Sequence, residues 1–430
     1  MKAAREILAR FGGSKTIQRP FVHYRTIGDE EMAAVRDVME SGILSAFVGT
    51  WHEDFEGGPR VRDLEHAARE WFGVRHAITV NSWTSGLIAS VGAVGIEPGD
   101  EVIVPPWTMS ASATAILHWN AIPVFADIEP ETFCLDPDSV RSNLSPYTRA
   151  ILSVDIFGQS ADMDALQALA DDHSLKLICD AAQAPGARVG SRFAGTLGDV
   201  GGYSLNYHKH IHTGEGGIVV TDDDDIADRV MLIRNHAEAV IGPKGQRELH
   251  NLLGYNFRLG ELEGAIGIEQ LSKLEARVAS RQRAAARLSR GLSGLEGLTT
   301  PVVRDACTHV YYVYPLILDV AGLGVCRTDI VEALKAEGVP GLMAGYQNLH
   351  LLPMYQRKIA YGRGGFPWTS EICRRDVSYA PGICPVAERL HHETFFGILL
   401  CSYEFLDEDI DLVIEAFHKV WGNLDALVPR

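Results

Sequence analysis

The first two-thirds of the chain alternates short apolar runs with stretches of helical period. The runs are HAITV (76–80), EVIVP (101–105), IPVFADI (122–128), RAILSVDIF (149–157), KLICD (176–180), GGYSL (201–205) and GGIVVTD (216–222). Most are continuously apolar rather than alternating, the pattern of strands buried on both faces. Helical patterns separate most of them, at 83–96, 110–118, 163–172 and 225–236. This order predicts an α/β fold with a mostly parallel sheet covered by helices. In such sheets ligands bind beyond the carboxyl ends of the strands, so the residues just after each run are the first place to look for chemistry.

From 259 to 293 the period becomes helical without a break. A helix of that length spans about 50 Å and suits a connector between two domains. The expected division is a large domain over 1–275, including an N-terminal arm, and a smaller C-terminal α/β domain over 276–430. In the second part, 309–320 reads as a strand and 328–338 as a helix ended by Gly338. Residues 407–424 read as an amphipathic helix with acids at its start, as the helix dipole favours. The Gly-, Pro- and aromatic-rich stretch 341–385 reads as loop.

Composition narrows the class. The 430 residues are 46% hydrophobic and 22% charged, ordinary globular usage. Lys plus Arg is 39 and Asp plus Glu is 56, a net charge of −17. That surface disfavours nucleic acid and anionic membrane, although a local basic pocket could hold a phosphate. The seven cysteines are scattered, with no C-x-x-C pair, so a metal site is not expected and a reducing, cytoplasmic setting is. No apolar run is long enough to span a bilayer. The basic N-terminal residues Lys2, Arg5, Arg10, Lys15 and Arg19 lack a following apolar segment. They read as an amphipathic helix over Ala3–Phe11, or alternatively as a transit peptide.

Three strand ends carry chemistry. KLICD closes on Asp180, followed by Gln183, and a buried acid requires a cation or donors. After GGYSL come Asn206-Tyr-His-Lys209-His-Ile-His-Thr-Gly-Glu-Gly-Gly, a polar loop around one lysine. A desolvated lysine beside cationic groups has a lowered pKa and can condense with a carbonyl. HAITV leads into Asn81-Ser82-Trp83-Thr84-Ser85 at a helix start, where hydroxyls and free N–H groups form an anion site. A lysine, an acid and a phosphate cup on one sheet edge fit pyridoxal 5′-phosphate (PLP). This cofactor needs an amine for its aldehyde, an acid for its pyridine nitrogen and donors for its phosphate.

These segments, with 41–46 (SGILSA), 99–113 (GDEVIVPPWTMSASA), 123–136, 154–164 (VDIFGQSADMD), 195–217 (GTLGDVGGYSLNYHKHIHTGEGG), 232–237, 253–271 (LGYNFRLGELEGAIGIEQL) and 351–355, resemble the DegT/DnrJ/EryC1/StrS family of PLP-dependent sugar aminotransferases. The resemblance runs from about Tyr24 to Val420. It implies fold type I, aspartate aminotransferase-like. Lys209 would hold PLP as an internal aldimine and shuttle the proton. Asp180 would pair with the pyridinium nitrogen and Gln183 with the ring's phenolic oxygen. Ser82, Trp83, Thr84 and Ser204 would hold the phosphate, and Asn256 would reach the PLP of a neighbouring subunit, which implies a homodimer with shared sites. The reaction implied moves an amino group from glutamate or glutamine to a keto-sugar, whether nucleotide-linked, a sugar phosphate or a cyclitol.

Two positions depart from the family pattern. Trp83 stands where glycine is usual. Met109 stands where an aromatic commonly stacks on the cofactor, a face that Trp107 could supply instead. His208, His210 and His212 read as loop residues capping backbone groups, or as contacts for a substrate anion. Arg25, His350 and Tyr355 read equally as substrate contacts and as packing residues. The competing functions are a deoxysugar dehydratase, whose relatives carry histidine in place of the lysine, and a non-catalytic PLP-binding regulator, for which no DNA-reading element is found. A nicotinamide dehydrogenase is disfavoured, because the glycine cluster 214–217 precedes a strand rather than following one.

Overall fold

The computed structural model describes residues 6–248 and 250–428. Seven strands form the main sheet: β1 (His76–Val80), β2 (Glu101–Val104), β3 (Ile122–Phe125), β4 (Thr148–Val154), β5 (Lys176–Asp180), β6 (Val200–Ser204) and β7 (Gly217–Thr221). Their order is β1-β7-β6-β5-β4-β2-β3. The pairings among β3, β2, β4, β5 and β6 are parallel, and β7 is antiparallel to both its neighbours. Every residue of β2, β3 and β5–β7 except Lys176 is buried, which explains why the runs are apolar without alternation.

The longer helices are α1 (Asp29–Ser41), α2 (Pro59–Phe72), α3 (Trp83–Ala93), α4 (Ser110–His118), α5 (Met163–His173), α6 (Asp224–Arg234), α7 (Glu261–Leu292), α8 (Arg327–Ala336) and α9 (Asp407–Trp421). The α3 sequence WTSGLIASVGA is rich in small residues and buried over nine of its eleven positions. Small residues let it lie close to its neighbours; a Cβ on Gly92 would sit 2.2 Å from the Trp119 ring. Ser82 caps α3 by accepting the Ser85 N–H at 3.1 Å, as the sequence Ser-x-x-Ser at a strand end allows.

The long helix α7 crosses the expected boundary at 275 and belongs to two cores. Its Leu271, Leu274 and Val278 pack with α2 and the β6–β7 side of the sheet. Its Ala284, Ala285, Leu288 and Leu292 pack with α8, α9 and a second, antiparallel sheet. That sheet is β8 (Leu298–Thr299), β9 (Tyr314–Leu318), β10 (Leu342–Ala344) and β11 (Phe395–Ile398), in the order β8-β9-β11-β10.

The N-terminal arm, expected with the large domain, packs on the smaller core. Leu8, Ile17 and Phe21 join α8 and α9 there. The physical reason is Glu337, which is fully buried. Its carboxylate accepts the Ala9 N–H at 2.7 Å, the Thr16 N–H and hydroxyl at 3.0 and 2.9 Å, and Lys419 Nζ at 2.9 Å. Of the expected helix Ala3–Phe11, positions 3–5 lie outside the described residues, and only a 3-10 turn forms at Ala9–Phe11. The expected strand 309–320 shortens to β9. Tyr311 takes a left-handed φ of 52°, and the preceding residues instead cross the edge of the large sheet, where Val310 donates its N–H to Gly158 at 2.8 Å.

Candidate active site

The carboxyl ends of β1, β5 and β6 meet the start of β7 on one edge of the sheet. Register pairs align Val80 and Ser204 with Gly217, and Gly217 lies against the backbone of Ser82 and Trp83. The sheet order therefore brings Ser204 to the N-terminus of α3, although 121 positions separate residues 204 and 83. Lys209 sits in the connection from β6 to β7 and is 7% exposed.

Lys209 Nζ lies 4.4 Å over the Tyr312 ring. Burial lowers its pKa to about 8, against a partly compensating pull from the Asp180 carboxylate. Asp180 is 4% exposed. Its Oδ2 accepts the Ser112 hydroxyl at 2.7 Å, and its Oδ1 accepts the Trp83 indole N–H at 2.7 Å and the Ala182 N–H at 3.2 Å. Burial raises the Asp180 pKa, while these donors and the Lys209 charge pull it back. Four or so lone-pair sites on a carboxylate leave room for one further donor. Gln183 is positioned by its own oxygen, which accepts the Phe157 N–H at 2.8 Å, and its side chain also bonds the Tyr346 hydroxyl.

At the α3 start, the first-turn N–H groups have no intrahelical acceptor. Thr84 is exposed, Ser82 half-buried and Ser204 7% exposed. Asn256 is exposed; its carbonyl accepts the Asn81 amide at 3.3 Å. Met109 precedes α4 and is 67% exposed, one turn from Ser112.

The donor set fits PLP. It offers a buried amine of depressed pKa, a buried acid with spare acceptor capacity on the same sheet edge, and a helix N-terminus flanked by two serine hydroxyls.

Other expectations resolve differently. The Trp83 side chain turns inward to Asp180, so only its backbone faces the anion cup. Trp107 is fully buried among Phe133, Phe157, Tyr346 and Phe395, which leaves Met109 alone at the expected stacking position. His350 is fully buried and pairs with Glu388 at 2.9 Å. Tyr355 is fully buried against Phe125 and Tyr379, and its hydroxyl has no partner. The structure does not bring these two to Lys209; both fill the core beneath β3. Arg25 is exposed, bonds the Ile27 carbonyl at 3.2 Å, and lines a surface groove with Lys273 and Arg277.

Among the loop histidines, His210 bonds the Val310 carbonyl at 2.8 Å and His212 accepts the Gly214 N–H at 3.3 Å, the capping roles expected of loop residues. His208 is half-buried beside Tyr207 and Tyr312. Burial and the Lys209 charge lower its pKa to about 4. Sequence reasoning missed Ser112, Tyr312 and Tyr346. Ser112 alone carried a local signal, a hydroxyl in the first turn of a helix that follows a strand. The two tyrosines arrive from the smaller domain.

The arrangement defines an aminotransferase-like α/β enzyme, and comparison with known proteins fixes the family. The model of the DegT/DnrJ/EryC1/StrS aminotransferase family matches residues 25–385, and the chain belongs to that family. It is 36% identical to L-glutamine:2-deoxy-scyllo-inosose aminotransferase of Streptomyces lividus, covering 96% of this chain and 97% of that protein. It is 34% identical to the spore coat polysaccharide biosynthesis protein SpsC of Bacillus subtilis, over 93% and 96%. The solved structure of DesI with its TDP-sugar product superposes with a TM-score of 0.79 at 29% identity, covering 97% and 96%. The expected fold type I architecture therefore holds. Among the described residues, no helix is long and apolar enough to cross a membrane.

Proposed function

We propose that the protein is a PLP-dependent aminotransferase that passes an amino group from glutamate or glutamine to the ketone of a sugar or cyclitol. The observation that carries this reading is a buried Lys209 amine of depressed pKa on the same strand-end edge as the clamped Asp180 and the α3 N-terminus. When bound, PLP would supply an electron sink that makes the donor's α-proton removable.

The residues then divide the work. Lys209 would hold the cofactor's aldehyde; once displaced, its free amine would accept the donor's α-proton and return it to the cofactor's former aldehyde carbon, across the bridging nitrogen. A pKa of about 8 suits it to both tasks, because a general base works best near the operating pH. Asp180 would keep the ring nitrogen protonated, its carboxylate fixed from both sides by Ser112 and Trp83. Gln183, held by Phe157, would orient the ring's phenolic oxygen. Ser82, Ser204 and the first N–H groups of α3 would bind the phosphate. The Tyr312 ring limits water at the amine.

A homodimer accompanies this reading. Met109, Tyr207 and Leu253 are 65–68% exposed, and they flank α4, Lys209 and Asn256 in sequence. Cover by a second copy would bury these three side chains, with Asn256 reaching across to the partner's cofactor. A dehydratase reading is opposed by the presence of Lys209.

The test is the half-reaction. Enzyme loaded with PLP and given L-glutamine or L-glutamate should convert to the pyridoxamine form and release the keto acid. A panel of keto-sugar nucleotides, sugar phosphates and inososes should then restore the starting absorbance with one or a few members. Loss of the carbonyl form with no amino acid, or its restoration by no ketone, would refute the proposal.

A further inference from the structure

Trp83 is set into a slot that three separate segments leave open. A Cβ on Gly202 of β6 would lie 2.3 Å from the indole, one on Gly86 of α3 2.7 Å from it, and one on Gly217 of β7 2.9 Å from the Trp83 backbone. The side chain is 5% exposed, and its N–H end lies 2.7 Å from Asp180 Oδ1. The other oxygen is held by Ser112, whose only hydrogen goes to Asp180. Thr108 must therefore donate to Ser112 across their 2.7 Å contact. Two donors on opposite oxygens fix the carboxylate's terminal torsion, which is otherwise broad and roughly two-fold.

We infer that the Trp83 indole N–H is a positioning donor, holding the Asp180 carboxylate aimed at the ring nitrogen of the cofactor. The side chain of the residue in the phosphate turn thus serves the opposite end of the same ligand. The inference rests on the PLP reading and deepens it. Core filling alone would need the indole's volume but not the direction of its N–H. A hydrogen bond to a charged acceptor is among the stronger ones, and its loss leaves Asp180 Oδ1 with only the longer Ala182 contact.

The test compares apoenzyme and the Trp83→Phe variant, which keeps an aromatic ring and deletes the donor. Each is titrated with PLP and with 1-deaza-PLP, whose ring lacks the nitrogen. PLP should bind the variant roughly tenfold more weakly, while the deaza analogue should bind both proteins alike. Equal weakening of both ligands would reduce Trp83 to packing and overturn the inference, as would no weakening of either. Wild-type protein that takes up neither ligand would instead overturn the cofactor reading, which separates the two failures.

A second measurement needs no change at Trp83. Among the seven indole N–H signals of the nitrogen-15 spectrum, Asp180→Asn should move one strongly upfield, because its acceptor loses its charge. An unchanged set of seven signals would overturn the inference.

Discussion

The depressed pKa of Lys209 has a kinetic consequence that can be worked out. An ordinary lysine at 10.5 has about one free amine in 3,000 at pH 7, whereas one at about 8 has about one in ten. Burial therefore raises the reactive fraction by roughly 300-fold at neutral pH. The perturbation is pH itself. Apoenzyme mixed with PLP in a stopped-flow instrument should capture the aldehyde at a rate that climbs about tenfold per pH unit below pH 8. The rate should level off above it. Asp180 pulls the Lys209 pKa upward, so Asp180→Asn should shift the bend to a pH below 8 even as it weakens cofactor retention. A single substitution that hastens capture at pH 7 while weakening binding is hard to obtain by general damage to the site. A rate that keeps rising through pH 10 would show that the amine titrates like an exposed one, and would refute the reasoning. So would a bend moved upward in Asp180→Asn.

Three further outcomes follow from the same structure. Ser82→Ala removes the α3 cap and should lower stability by about 1 kcal/mol while weakening PLP; thermal unfolding with and without cofactor separates the two effects, and a larger loss with cofactor present is expected. Tyr355→Phe deletes a buried hydroxyl that has no partner, so it should be neutral or stabilising by up to about 1 kcal/mol with KM for the ketone unchanged; a raised KM would restore it as a substrate contact. Glu337→Ala leaves Lys419, which is 8% exposed at its side chain, without its buried partner and frees the N-terminal arm. It should cost about 3–5 kcal/mol in denaturant unfolding and speed proteolysis before residue 21, and a loss below 1 kcal/mol would contradict the stitching role.

Much of this molecule was legible in its sequence because the information was local. A strand covered on both faces writes itself as an unbroken apolar run, and all seven runs became β1–β7. Strand ends then pointed to Lys209, Asp180 and the cap at Ser82. The remainder depends on contacts between distant segments. Nothing local says that Tyr312 lies under the lysine amine, because the turn at Tyr311 ends the expected strand early. Trp83 sits in an anion-binding turn by sequence, yet glycines at 86, 202 and 217 open an inward path for its ring. His350 and Tyr355 lie in a stretch that reads as loop, and only packing beneath β3 shows them to be core. The arm over residues 8–21 leaves the large domain because Glu337, far along the chain, holds it.

The covalent attachment of the cofactor is the point on which the account stands. Holoenzyme reduced with borohydride and digested should carry one phosphopyridoxyl group on the peptide containing Lys209 and none on any other lysine. An active holoenzyme whose Lys209 peptide remains unmodified under that treatment would contradict the account at its centre.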